Sequence, residues 1–419
     1  MAPKDAKTKP LPRNNGHLTR LDYVFATGII LAPYTALRVW KFGPGELLLI
    51  AWMVIVYCRR MQESKSSFID INNPITSYQV ANLFMMMLGM FVGVLFYNER
   101  QTVTDAVTDI FSHLFMLLLA STIFNEYNRR DVLYINCLLE VIVTLGAVIH
   151  GSMLLYARFV NNTLFGKVLW LGNQTRFIGL AINPHQIGMI GGPGLFFALY
   201  LMSMTDNIWT KLRYILLAIV WFMVSDATKS DTMNASYVLC FVAFLIFKSS
   251  KVGGLRERRY LPVLVICMLC LGISFQLPRL WNILTDFVMD GGNGEHRLKL
   301  WSSALNRLLD RPISLFVGLG PGGHTDMYMR ASGNETETHN TYVQIAMNSG
   351  ILILAYYITT IIMIIRRPFA KNTYLVLAVT YFILYGFGGN MNRRVLVWFT
   401  YAICWILFKK TQGMEVSRR

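Results

Sequence analysis

Long apolar runs separated by short polar segments dominate this chain. Twelve are legible, near residues 21–36, 44–58, 78–97, 109–125, 131–156, 181–204, 213–226, 233–248, 260–276, 341–365, 373–389 and 395–408. Such runs predict an all-α polytopic membrane protein, because a bilayer core about 30 Å thick takes roughly 20 apolar residues per helix. Several runs are shorter than that, so their helices are expected to extend into polar flanks. The rhythm breaks once, at the polar segment 277–340. Within it, HRLKLWSSALNRLLD places Leu298, Trp301, Leu305 and Leu308 near helical spacing, which predicts an amphipathic helix at the membrane surface. The expected organisation is a tail over 1–20, nine helices within 21–276, a large loop over 277–340, three helices within 341–408 and a tail over 409–419.

Charge orients this layout. If the N-terminus is inside, the inner segments hold Arg59 and Arg60, Arg129 and Arg130, Lys211 and Arg213, the run KSSKVGGLRERR, and Arg366, Arg367 and Lys371. Every one is basic, as topology in a cytoplasmic membrane requires. Both ends are then cytoplasmic and the large loop is periplasmic. The first twenty residues are basic and Pro-containing without an apolar core, so they read as a tail and not as a cleaved signal peptide.

Composition agrees. Hydrophobic residues make up 54% and charged residues only 15%, where a soluble domain would carry roughly a quarter. The formal charge of +16 is partly spent on the inner loops. The remainder faces outward, where it calls for an anionic partner; in a chain of this type that is a lipid-linked substrate, not nucleic acid. Arg176, Lys229 and Arg297 are the outer cations expected to converge on a pyrophosphate, because cations of this kind, guanidinium above all, pair with phosphate. Arg38, Lys41, Arg100, Arg158, Lys167, Arg393 and Arg394 share that side. The six cysteines form no disulfide framework, and Cys267 and Cys270 lie on an apolar run as packing residues.

The stretch THNTYVQIAMNSGI at 338–351 places His339 where the polar loop meets an apolar run. A cap, a metal ligand and a proton-transfer group are its three readings. Capping needs only Thr338 or Asn340, and Asn340 is the expected cap. A metal wants three or four convergent ligands, and no spacing motif signals them. An imidazole beside a reacting hydroxyl suits neutral pH. The nearby LFVGLGPGGH carries Gly318, Gly320, Gly322 and Gly323, which allow tight turns beneath the histidine but form no phosphate loop. In RFIGLAINPHQIGMIGGPG, Pro184 and the glycines from 191 to 194 predict a bent or closely packed helix, with His185 a helix-contact residue. The polar SDATKSDTMNASY is either an ordinary short loop or the lining of the pyrophosphate pocket through Lys229. His113 and His150 read as packed.

Four stretches together resemble the O-antigen ligase and polymerase superfamily of bacterial envelope proteins: RFIGLAINPHQIG, the turn ending NASYVL, RLKLWSSALNRLLDRPISLFVGLGPGGH, and HNTYVQIAMNSGIL. The resemblance covers residues 170–390 best. It implies a GT-C-like, about twelve-span glycosyltransferase with the large periplasmic loop between helices 9 and 10. It implies an undecaprenyl-pyrophosphate-linked glycan donor, and as acceptor either another lipid-linked repeat unit or the lipid A core. It implies no metal and no cofactor, and a chain-length regulator protein as a partner in the bacterial inner membrane. By resemblance His339 is the essential histidine and Arg297 the large-loop arginine, both catalytic, with Asn340, Gly320, Gly322 and Trp301 supporting. Lys229 stands where relatives carry a Ser-Arg pair, and this chain has TKSD instead. The acidic residue that many relatives place before the glycine of the tenth span is missing, with Asn348 nearby. The reading at this level is a polymerase, with a ligase and a lipid-linked glycan transporter as its alternatives.

Overall fold

The computed structural model describes residues 17–39, 42–62, 69–97, 103–172, 175–249, 293–321, 338–366 and 372–416. The described chain forms thirteen α-helices, a 3-10 turn at Thr35–Leu37 and two small hairpins. The helices are α1 (Arg20–Leu31), α2 (Pro44–Gln62), α3 (Pro74–Tyr97), α4 (Val103–Tyr127), α5 (Val132–Phe159), α6 (Pro184–Ser203), α7 (Ile208–Ala227) and α8 (Asp231–Ser249). There follow α9 (Asn293–Leu309), α10 (Pro312–Val317), α11 (Thr341–Arg366), α12 (Thr373–Tyr385) and α13 (Val395–Val416). Between α5 and α6 lie β1 (Thr163–Leu164) paired with β2 (Lys167–Val168), and β3 (Trp170–Leu171) paired with β4 (Arg176–Phe177), both antiparallel.

Local sequence explains where many of these helices begin. Asp131, Asn183, Asn207 and Asn372 each accept a backbone N–H from the first turn of α5, α6, α7 and α12. These short polar side chains satisfy donors that would otherwise be orphaned at a helix start.

The expected twelve-span, GT-C-like architecture is not what forms. Among the described residues six helices are long and apolar enough to cross a membrane: α3, the Ala106–Tyr127 part of α4, α5, α6, α7 and α11. Length explains much of the difference. The first apolar run yields a helix of only 12 residues, which rises about 18 Å at 1.5 Å per residue and falls short of a bilayer core. The run at 373–389 yields only 13 helical residues. Helix α2 carries Glu46, Arg59 and Arg60, and α13 carries Lys409 and Lys410. The run at 260–276, with Cys267 and Cys270, lies outside the described residues.

Two of the helices outside these six lie in the interior. From Val395 to Phe408 nearly every side chain of α13 is buried, and α12 is almost as enclosed. A helix that is apolar all round belongs in an interior. Around this centre, α3 and α7 leave a large apolar share outward, as lipid-facing helices do. Close packing of α6 on α7 follows from its glycines. A Cβ at Gly191 would collide with Ser225, at Gly194 with Trp221, and at Gly192 with Tyr381 of α12. The close-packed reading of this stretch therefore holds. His150 is fully buried, with Nδ1 3.3 Å from the Tyr34 hydroxyl, and His113 is 1% exposed, its Nε2 3.0 Å from Asn392 Nδ2.

The glycine-rich loop after α10 has a purpose that the sequence reading did not assign. Helix α11 breaks at Gly350, whose φ of 84° and ψ of 170° are open only to glycine. The break frees two carbonyls that a continuous helix would satisfy at residues 351 and 352. The backbone N–H groups of Leu319 and Gly320 take them instead, donating to Met347 O at 2.7 Å and Asn348 O at 3.1 Å. Gly318 and Gly320 also have positive φ, and a Cβ on either would strike the backbone of α11 or α3. Gly350→Ala is expected to cost roughly 2–4 kcal/mol of stability through forced φ and collision with the Phe316 carbonyl. A melting temperature in detergent well below wild type checks this.

Candidate functional site

Two short loops carry the candidate chemistry, and both are held in unusual backbone geometry. Helix α7 ends at Ala227 and α8 begins at Asp231, leaving the three-residue turn Thr228–Ser230. Lys229 lies in this turn with φ 50°. Its Nζ sits 2.9 Å from Asp226 Oδ2, so the neighbouring carboxylate offsets part of its charge. Arg176, placed by the pairing of β4 with β3, reaches the same turn and donates from Nε to Thr228 O at 3.3 Å. Arg176 thus touches the backbone of the turn that carries Lys229.

His339 occupies the loop that leads into α11. It also has positive φ, at 48°. Its own ring is half-buried, but its neighbours Thr338, Asn340 and Thr341 are 2%, 4% and 1% exposed, so the strained conformation is locked from both sides. Asn340 is the cap foreseen from sequence: its Oδ1 accepts from Tyr342 N at 2.9 Å and Val343 N at 3.1 Å. Trp301 of α9 donates from Nε1 to Thr338 O at 2.8 Å, fixing the loop from the side of the amphipathic helix. Among the described residues only three non-glycine positions have positive φ, and Lys229 and His339 are two of them. Strain of this kind persists where surrounding structure over-determines it, and it gathers at functional sites.

A glycine-rich turn joins the two loops, and the sequence reading passed over it. Residues 386–390, GFGGN, connect α12 towards α13. From one side Thr341 donates its N–H to Gly386 O and its Oγ to Gly389 O, both at 2.8 Å, and Asn340 Nδ2 donates to Phe387 O at 3.4 Å. From the other side Thr232 of α8 donates to Gly388 O at 3.5 Å. A Cβ at position 388 would strike Thr232, so only glycine allows this approach. Tyr385, just before the turn, donates to His185 O at 3.1 Å, and His185 Nδ1 lies 2.8 Å from Ser230 Oγ. His185 is thus a contact residue, but its contact is with the cation turn. The available signal was the Gly-Phe-Gly-Gly-Asn run between two apolar stretches, which predicts a tight turn but not its partners.

The remaining expected residues divide. Arg297 lies within α9, and its side chain is outside the described residues. Gly322, Gly323, Lys41 and Arg100 lie outside the described residues. Gly320 packs the α10–α11 crossing against α3. The predicted apolar stripe of α9 splits in two: Leu300, Ala304 and Leu308 are buried with Trp301 half-buried beside them, while Leu298, Leu305 and Leu309 are exposed. On its polar side a shallow groove of about 600 Å³ is lined by Lys299, Ser302, Ser303, Asn306, Arg307, Asp310 and Arg311. Arg393 is ion-paired with buried Asp109, and Arg38 with Glu46 at 2.6 Å. Among the described residues no three His, Cys, Asp or Glu side chains converge as a metal site would require. Asn340→Ala is expected to lose about 1 kcal/mol of stability or more, and Asn340→Asp to lose less, because aspartate keeps the capping oxygen on α11 and gives up only the Nδ2 bond to Phe387 O. Paired thermal melts of the two variants test the assignment.

Comparison with known proteins adds one match. Neither a curated protein nor a solved structure matches this chain. Residues 214–358 match the Wzy_C family model, described as O-Antigen ligase. That interval contains Lys229, Arg297, Trp301, Gly320, Gly322, His339 and Asn340, and it excludes Arg176 and the 386–390 turn. This helical, multi-pass membrane protein therefore carries a Wzy_C domain over residues 214–358, the segment that holds both strained loops.

Proposed function

We propose that this protein transfers a glycan from a polyprenyl-pyrophosphate donor to a sugar hydroxyl, with the lipid A core as acceptor, in the manner of an O-antigen ligase. The observation that carries the reading is the tie between the loop of His339 and the turn of Lys229 and Arg176 through one glycine-rich segment. The ligase is preferred to the polymerase first expected because the matched family model is described by that activity. The two share donor chemistry and differ only in acceptor. The cytoplasmic membrane, with the two loops at its outer face, is the compartment that fits such a donor.

The chemistry follows from charge. The bond between the anomeric carbon and the pyrophosphate oxygen breaks, and its electron pair leaves with the pyrophosphate. Fixed cations aimed at that developing charge stabilise the transition state more than the ground state. Arg176 and Lys229 supply them, with Arg297 the third. Asp226 holds the Lys229 ammonium in place, and it lowers the net field of the turn, so the arginines carry more of the stabilisation. The acceptor hydroxyl attacks the same carbon from the opposite face, inverting its configuration. Its proton passes to His339, whose imidazole suits transfer near neutral pH.

Reconstitution with undecaprenyl-pyrophosphate-linked polysaccharide and a lipid A core acceptor tests the proposal. Wild-type protein is expected to cap the core; elongation of lipid-linked repeats without capping would establish the polymerase instead. His339→Ala is expected to lose about 10³-fold in turnover with an unchanged melting temperature. Near-normal turnover would remove His339 from the reaction. Arg176→Ala is expected to lose roughly 10²-fold, and Arg176→Lys to recover part of it.

A further inference from the structure

We propose that the β1–β2 hairpin is a membrane-interface anchor, with Phe165 at its tip inserted among the acyl chains and Lys167 beside it at the phosphate headgroups. The tip residue does not suit its turn. The strands pair Thr163 with Val168 and Leu164 with Lys167, so Phe165 and Gly166 form a two-residue loop. Both have positive φ, 50° and 70°, as a type I′ turn demands. The first central position of such a turn ordinarily takes Asn, Asp or Gly, because a bulky side chain is strained there. This chain places a phenylalanine at it and leaves the ring 75% exposed. A strained, water-facing aromatic serves neither the turn nor the core.

The hairpin is also well braced, so the exposure is not a matter of a loose loop. Leu169 N donates to Asn162 O at 2.8 Å, Trp170 N to Asn162 Oδ1 at 2.9 Å and Thr163 N to Asn161 Oδ1 at 3.0 Å. Leu169, Trp170 and Phe177 lie buried at its base. The tip projects into open space, since nothing lies within 4 Å of a Cβ built at Gly166. Phe165 is thus presented outward by a rigid mount.

What it is presented to follows from where the hairpin starts. It begins four residues after the end of α5, a helix apolar and long enough to cross the membrane. Leu155, Phe159 and Val160 at that end are 56%, 78% and 72% exposed, and they continue a lipid-facing surface towards the hairpin. Val168 adds 46% exposure on β2. Arg158 and Lys167 are exposed within the same short segment, with no carboxylate between residues 141 and 205. An apolar tip flanked by cations, leaving the end of a spanning helix, matches the boundary where acyl chains meet anionic headgroups. The hairpin also leads through β3 into β4 and Arg176, so an anchored tip would hold that arginine at a fixed depth.

The test uses the full-length protein with Phe165→p-benzoylphenylalanine, reconstituted in nanodiscs of phosphatidylcholine and phosphatidylglycerol. Photolysis followed by mass spectrometry reads lipid adducts at the tip. The same replacement at Leu155 gives the lipid-facing reference, and at Thr175 the water-facing one. The expected result is a lipid adduct yield at 165 matching that at Leu155. A yield no higher than at Thr175, or an adduct to protein instead of lipid, overturns the proposal. Phe165→Asn supplies a second arm, because it relieves the turn while removing the anchor. Its melting temperature in detergent is expected to equal or exceed wild type. A marked fall there would show that the ring is needed for folding, and would overturn the anchor reading too.

Discussion

Three hydrogen bonds from one residue hold the two candidate loops in register. Thr341, the first residue of α11, donates its N–H to Gly386 O and its Oγ to Gly389 O, and that same Oγ accepts from Met391 N at 2.9 Å. It is 1% exposed, so each of these bonds is made away from water, where an unmade partner would be costly. The segment so gripped also receives Thr232 of α8 at Gly388 O. His339 stands two residues before Thr341, and Lys229 three residues before Thr232. The position of either loop is therefore set against the other through a backbone that both hold.

Packing within the bundle makes this arrangement possible. Small residues in α6 let α7 and α12 come close, and α7 in turn ends at the cation turn. On the opposite flank, the break at Gly350 lets the chain after α10 cross α11 and borrow its freed carbonyls. That crossing holds α11 at Met347 and Asn348, and α9 adds the Trp301 bond to Thr338 O. The packed bundle and the two candidate loops thus share elements, since α7, α8 and α11 belong to both. If the hairpin anchor holds as well, Arg176 is placed from the membrane side while Lys229 is placed from the core.

The sequence was informative where a single periodicity decides the outcome. A membrane-embedded helical bundle, the cap at Asn340 and the close packing of the 184–203 helix were all readable, because each depends on local composition or spacing. The number of spans was not. Apolar runs do not distinguish a lipid-crossing helix from one enclosed by others, and α12 and α13 are apolar because they are interior. The glycine cluster at 318–323 was assigned to the neighbourhood of the histidine, but Gly320 serves a helix crossing that depends on a kink thirty residues later. Lys229 was expected as a cation of the outer loops, and its pairing with Asp226 follows from a turn whose geometry composition does not encode. The 386–390 segment was legible only as a turn, since its partners come from residues more than 40 and 150 positions away.

The most direct measurement is the turnover of Thr341→Val beside Thr341→Ser in the reconstituted transfer reaction. Valine keeps the shape of threonine and removes the Oγ bonds to Gly389 and Met391, whereas serine keeps them. The account predicts that the serine variant stays near wild type and that the valine variant loses about tenfold or more in turnover, because a slight misplacement of reacting groups is expensive. A folded valine variant that transfers glycan at the wild-type rate would contradict it.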